Sequence, residues 1–156
     1  MKNLLSFQPR RLAVGLLFTL FSSAAAVADD GPWVHDLDAA FAKAVETGKP
    51  VMAEFTGSDW CPPCQMMNER VFSQQEFLDK ASEKFILAKV DMPRGDDAVR
   101  EANEPHVRKH EVRGFPTIIL FDSEGKEFSR FVATAHPNVE AFLGHLESEL
   151  AKKDMQ

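Results

Sequence analysis

Cysteine is nearly absent from this chain: of 156 residues only Cys61 and Cys64 carry a thiol. Two cysteines cannot staple a small disulfide-rich domain, so chemistry, metal binding or packing must account for them. Runs of basic residues are missing as well. With 18 Lys and Arg against 24 Asp and Glu the net charge is −6, and no cluster of cations is available to neutralise a phosphate backbone. Nucleic acid is therefore not an expected partner. Internal repeats and low-complexity tracts are also lacking, and 44% hydrophobic with 27% charged residues is the balance of a single folded domain.

The longest apolar run lies at the N-terminus. Lys2, Arg10 and Arg11 precede Leu12 to Phe21, and small residues follow down to Ala26-Val27-Ala28. This is the pattern of a secretory signal peptide, with cleavage expected after Ala28 and a folded domain over 29–156. An uncleaved anchor is the rival, but Leu12 to Val27, with Ser22 and Ser23 inside it, falls short of the roughly 20 apolar residues a spanning helix needs. No cysteine follows the run, which excludes a lipid on a cleavage-site thiol. Loss of 1–28 removes three cations and takes the net charge from −6 to −9. The expected location is periplasmic or secreted.

Residues 29–32 read as a short leader. Beyond it, Leu37, Ala40, Phe41, Ala44 and Val45 recur at helical spacing, with Asp36 or Asp38 as cap and Gly48 at the end, so a helix is predicted over 38–47. Val51 to Thr56 reads as a strand, 57–60 as a turn, and the stretch after Cys64 as a helix whose first turn holds Pro62 and Pro63, where prolines are tolerated. Ser73 and Glu76 have capping-box spacing ahead of a helix through Phe85. A strand follows over 86–90, then a loop over 92–97. Residues 98–110, interrupted by Pro105, predict one or two short helices. Thr117 to Asp122 and Glu127 to Val132 predict a hairpin, and 139–152 a closing helix. The order α-β-α-α-β-α-β-β-α implies an α/β fold with a mixed sheet and helices on both faces.

The informative stretch is Trp60-Cys61-Pro62-Pro63-Cys64, between a strand and a helix. Cysteines three apart in a first helical turn can form a disulfide, and the helix start favours the thiolate of the first. Cys61 is the expected nucleophile and Cys64 the resolving thiol. A static disulfide is the alternative, but so small a ring pins little chain and stabilises little.

Here the chain resembles the thioredoxin superfamily over about 37–150. The resemblance is carried by the cysteine motif, by Val51 to Phe55, by Ala88-Lys89-Val90-Asp91, and by Val112-Arg113-Gly114-Phe115-Pro116-Thr117 leading into 118–121. It implies a thioredoxin-like fold with a central mixed sheet flanked by helices and an extra N-terminal helix, as in secreted thioredoxin-like variants. It also implies a cis Pro116 facing the cysteines, Phe115 offering its backbone to an extended substrate, and Trp60 flanking the active surface. Glu54 and Lys89 match the buried acid and neighbouring lysine that relay a proton to the resolving thiol, although Glu replaces the commoner Asp. The turn over 56–60 and the stretch over 92–106 both read as longer than in plain thioredoxin.

Pro63 matches the residue that reducing members carry before the second cysteine, which favours a protein-disulfide reductase over an oxidase or isomerase, or over a non-catalytic binding module. The implied partners are protein thiols and disulfides, with a membrane thiol transporter as electron donor; no cofactor is implied. A zinc site built from Cys61, Cys64, His106 and His110 is disfavoured, because the segment between the pairs far exceeds the roughly 12 to 15 residues of common modules. His106 and His110 are expected on the solvated side of a helix, and His35, His136 and His145 at the surface. Met66 and Met67 are expected to fill core space.

Overall fold

The computed structural model describes residues 31–155. The expected signal segment lies outside the described residues. The elements are α1 (Leu37–Thr47), β1 (Val51–Thr56), α2 (Pro62–Met67) continued by a π-helical turn (Asn68–Phe72), α3 (Gln75–Lys84), β2 (Ile86–Asp91), α4 (Asp97–Lys109), β3 (Thr117–Phe121), β4 (Glu127–Val132), a 3₁₀ turn (Ala133–Ala135) and α5 (Val139–Asp154). The four strands lie in the order β2-β1-β3-β4, with β1 parallel to β2 and antiparallel to β3, and β3 antiparallel to β4. This is the mixed sheet the element order implied.

Every residue of β1 is buried, because the strand is central and covered on both faces. Period-2 alternation sends Met52 to a core built with Met67, Phe72, Phe77 and Phe142, and Val51, Ala53 and Phe55 to a second core built with α1. Phe72 anchors the first core, its ring meeting Trp33, Phe77 and Phe142 at 6.0, 5.5 and 5.2 Å between centroids. Such edge-on aromatic contacts add to the burial of the rings. Among the described residues no helix is long and apolar enough to cross a membrane.

Local signals explain most element boundaries. Asp36 caps α1 by accepting from the Ala39 amide at 3.0 Å, and Gly48 ends it at φ 71°. Asp96 and Asn138 cap α4 and α5 in the same way. The Ser73 capping box does not form: the residue before α3 is Gln74, and the Ser73 hydroxyl instead donates to the Asn68 carbonyl at 2.8 Å, tying off the π-helical turn. Helix α4 runs unbroken through Pro105, held on the sheet by buried Asn103, whose amide donates to the Asp91 carbonyl at 2.8 Å. The leader also contributes more than expected, since the Val34 amide and carbonyl both bond to β2 at 2.9 Å while Trp33 enters the core.

Four histidines depart from the surface reading. His110 packs its half-buried ring against Phe55 and Phe121, and its Nε2 is buried without a hydrogen-bond partner among the described residues. His136 and His145 stack at 3.9 Å between centroids, edge-on to Phe131. His106 is largely covered and faces Asp38 at 4.0 Å. His35 is exposed as expected. Burial pushes the His110 and His145 rings below the ordinary histidine value, so the unfolded chain takes up protons that the folded chain resists. Their stabilising share is complete above about pH 6.5 and is lost as pH falls below it. Urea unfolding followed from pH 7 to pH 5 should show declining stability, and His110→Leu should flatten the decline in part, leaving the His145 share.

Candidate active site

The site grows from the C-terminal end of β1. After Thr56 the chain turns at Gly57, whose carbonyl accepts from the Cys61 amide at 2.9 Å. A Cβ on Gly57 would lie 2.6 to 2.8 Å from the Trp60 indole, so only glycine lets the ring fold back over the turn. Three neighbours hold that ring. Its Nε1 donates to the Met92 carbonyl at 2.7 Å, the Arg94 guanidinium lies 4.7 Å from the ring centroid, and Phe115 meets it edge-on at 5.9 Å.

The turn is locked to the loop between β2 and α4 from both sides. Asp91 accepts from the Ser58 amide at 2.9 Å and from its hydroxyl at 2.5 Å. In return Asp59 accepts from the amides of Arg94 and Gly95, at 2.9 and 2.7 Å. The Arg94 amide bond, with help from Gly95, holds the Asp59 carboxyl below the usual range. Asp59, Met92 and Arg94 were missed by sequence reasoning. Asp and Gly in these stretches signal turns, but nothing local signals that two turns more than thirty residues apart will interlock.

Cys61 is the N-cap of α2, with extended backbone angles, and Pro62 and Pro63 occupy the first helical positions. Neither proline has an amide hydrogen, so the first donor of the helix is the Cys64 amide, which points at Cys61 Sγ at 3.3 Å. The two cysteines are joined as a disulfide with 5.2 Å between Cα atoms, Cys61 being 4% and Cys64 1% exposed.

Glu54, 1% exposed, lies on the Met52 side of β1, paired in register with Lys89 of β2. A cavity of about 220 Å³ brings Glu54, Lys89 and Cys64 together, walled also by Thr56, Gln65 and Asn68. The expected acid, lysine and resolving cysteine thus line one partly open pocket, and Glu54 is not a surface residue. The Lys89 ammonium lies 5.0 Å from the centroid of the Trp33 ring.

On the other side of the pair, Cys61 opens onto a groove of about 560 Å³ with Trp60, Met92, Val112, Gly114 and Phe115. The Phe115–Pro116 peptide is cis. Pro116 is buried and lines a neighbouring groove of about 620 Å³ with Thr117, Phe131 and Val132, whereas Val112, Gly114 and Phe115 line both. Met67 is buried and Met66 packs against the same core, as expected of gap-filling side chains.

A helix-capping Cys-x-x-Cys pair at the end of a central strand, with a cis proline leading into the neighbouring strand β3, is the arrangement of a thiol–disulfide oxidoreductase site. The family model described as Thioredoxin-like matches residues 32–123, and the chain belongs to that family. It is 33% identical over 85 residues to the disulfide bond reductase DsbH of Chlamydia pneumoniae, a match covering 53% of this chain and 51% of that protein. It is 34% identical over 117 residues to the thiol:disulfide interchange protein DsbD of Cronobacter sakazakii, covering 75% of this chain and 19% of DsbD. The chain thus spans about half the length of one relative and a fifth of the other. A solved structure of a DsbH oxidoreductase superimposes with a TM-score of 0.67 at 27% identity, covering 75% of this chain and 83% of that one.

Gly57→Ala should destabilise the fold by about 1 to 3 kcal/mol, the usual range for forcing extra volume into a packed site, because the indole is pinned and cannot swing away. A urea midpoint equal to that of the unaltered protein would contradict this account of the turn.

Proposed function

We propose that this chain is a reductase of protein disulfides working outside the cytoplasm, by dithiol–disulfide exchange through Cys61 and Cys64. The observation that carries the reading is the placement of Cys61, capping α2 with the Cys64 amide on its sulfur while bordering an open groove of about 560 Å³. The sequence similarity to a protein named a disulfide bond reductase and the Pro63 of the motif favour the reducing direction. The N-terminal pattern over 1–28 supports export.

In the reduced protein the helix start favours the Cys61 thiolate. That thiolate attacks one sulfur of a substrate disulfide, forming a mixed disulfide and releasing the other substrate sulfur as a thiolate. Glu54 then takes the proton from Cys64, and Lys89 beside it in the register steadies the carboxylate that gives the proton up again. The Cys64 thiolate attacks Cys61 Sγ and expels the second substrate thiolate. Two electrons have passed to the substrate and the protein is left as the Cys61–Cys64 disulfide. A dithiol donor must return them, and a membrane thiol transporter fills that role in this proposal. Trp60, Phe115 and Pro116 form the substrate seat, with the Phe115 backbone pairing to the substrate segment.

The reading is tested by equilibrating the protein with glutathione. A potential near about −270 mV supports a reductant, while one near about −120 mV would reverse the direction of flow. Insulin should be reduced with dithiol turnover, and Cys64→Ser should accumulate covalent adducts through Cys61. If Cys61→Ser binds the same partners and the unaltered protein shows no exchange, the chain is a binding module instead. Glu54→Gln should leave formation of the mixed disulfide intact and slow its resolution by about 10²-fold or more, the usual scale for a lost general base. The pH dependence of resolution, measured by stopped flow, should flatten with it.

A further inference from the structure

Three arginines stand on or beside the Cys61 groove of this acidic chain. Arg108 of α4 lines it but is ion-paired with Glu104 on the same helix. Arg113 lines it from the loop ahead of Phe115 and also lines the neighbouring groove, so it stands on the ridge between the two. Arg94 does not line the groove itself but rests on one of its walls, its guanidinium 4.7 Å from the centroid of the Trp60 ring. Arg94 and Arg113 are both exposed, and among the described residues neither forms an ion pair. Of the nearby acids, Glu104 pairs with Arg108, the Asp59 carboxylate accepts from two backbone amides, and Glu111 lines the neighbouring groove with Arg113.

Arg94 is also held in place. Its amide is bound by Asp59 and its side chain rests on an aromatic face, so little freedom is lost when it meets an anion. At physiological ionic strength charges are screened beyond about 8 Å, so cations on the groove act on a docked segment more strongly than the remote acids that give the chain its net charge. The groove also has apolar lining from Met92, Val107 and Val112.

We infer that the occupant of this groove is an acidic segment of a partner protein, one carrying Asp or Glu within a few residues of its reactive cysteine and an apolar side chain between them. The inference rests on the exchange reading of the cysteine pair. Arg94 and Arg113 then act as specificity residues, attracting such a segment and repelling a basic one.

The test uses the full reduced chain and three synthetic peptide disulfides, identical except that the residues flanking the cysteine are Asp, Ser or Lys. At low ionic strength the Asp peptide should react about tenfold faster than the Lys peptide, the Ser peptide falling between, as expected for two exposed charge contacts changing sign. At about 1 M salt, where the screening length drops to about 3 Å, the three rates should converge. The double variant R94E/R113E should reverse the order, and R94K/R113K should keep it. Equal rates with all three peptides, or an order that survives the double charge reversal, would overturn the specificity while leaving the exchange reading standing. A chain inert toward all three peptides would overturn both.

Discussion

Strand β1 meets water on neither face and neither edge, and the rest of the structure is arranged around that constraint. Its amides and carbonyls are taken by β2 on one side and β3 on the other, and its side chains serve two separate cores. Two consequences fall on the site. The strand's end fixes where the 57–60 turn starts, and its alternation drives a carboxylate, Glu54, inward on the face roofed by α2. Burying a carboxylate costs stability wherever it is charged, yet Glu54 stands in this fully buried strand and lines the cavity with Lys89 and Cys64. The cysteine pair and the acid beneath it are positioned by the same six residues.

Helix α2 on its own would be a weak support for a reactive group, because it is short and opens with two prolines. What steadies it is the reciprocal bonding between the 57–60 turn and the 91–95 loop. Asp91 holds Ser58, Asp59 holds the amides of Arg94 and Gly95, and the Trp60 indole closes the arrangement onto Met92. Each bond is modest, being partly exposed, but together they tie the turn to β2 by a route that does not run through the core. The end of β2 and the loop between β2 and α4 supply these partners.

Much of this was legible in the sequence. The strand positions were, because Val51 to Thr56 and Thr117 to Phe121 are short stretches with β-branched and aromatic residues bounded by turn signals. The cysteine pair at a helix start was legible too, since the strand, the glycine turn and the prolines each constrain the chain locally. The placement of Glu54 and Lys89 beside Cys64 came from resemblance, and the sheet register gives it a physical basis. What escaped was whatever depends on partners distant in sequence. Pro105 looked like a break because its missing amide is a local fact, while the Asn103 anchor that keeps α4 continuous is not. Ser73 had the spacing of a cap but found the Asn68 carbonyl of the π-helical turn first. The histidines read as polar and therefore exposed, yet a neutral imidazole is flat and partly apolar, and three of them fill space against phenylalanines.

The contact between Val34 and β2 has a consequence for how the molecule behaves in a crowded solution. A sheet has two open margins, each a row of unsatisfied amides and carbonyls able to recruit a strand from another chain and so to seed aggregation. Val34 occupies part of the β2 margin with a pair of backbone bonds, and β4 at the other margin carries the Glu127–Arg130 pair and an irregularity in its register where it faces the end of β3. Neither margin offers a long, flat, apolar template. The groove beside Cys61 draws none of its lining from β2 or β4, so it stands apart from both margins.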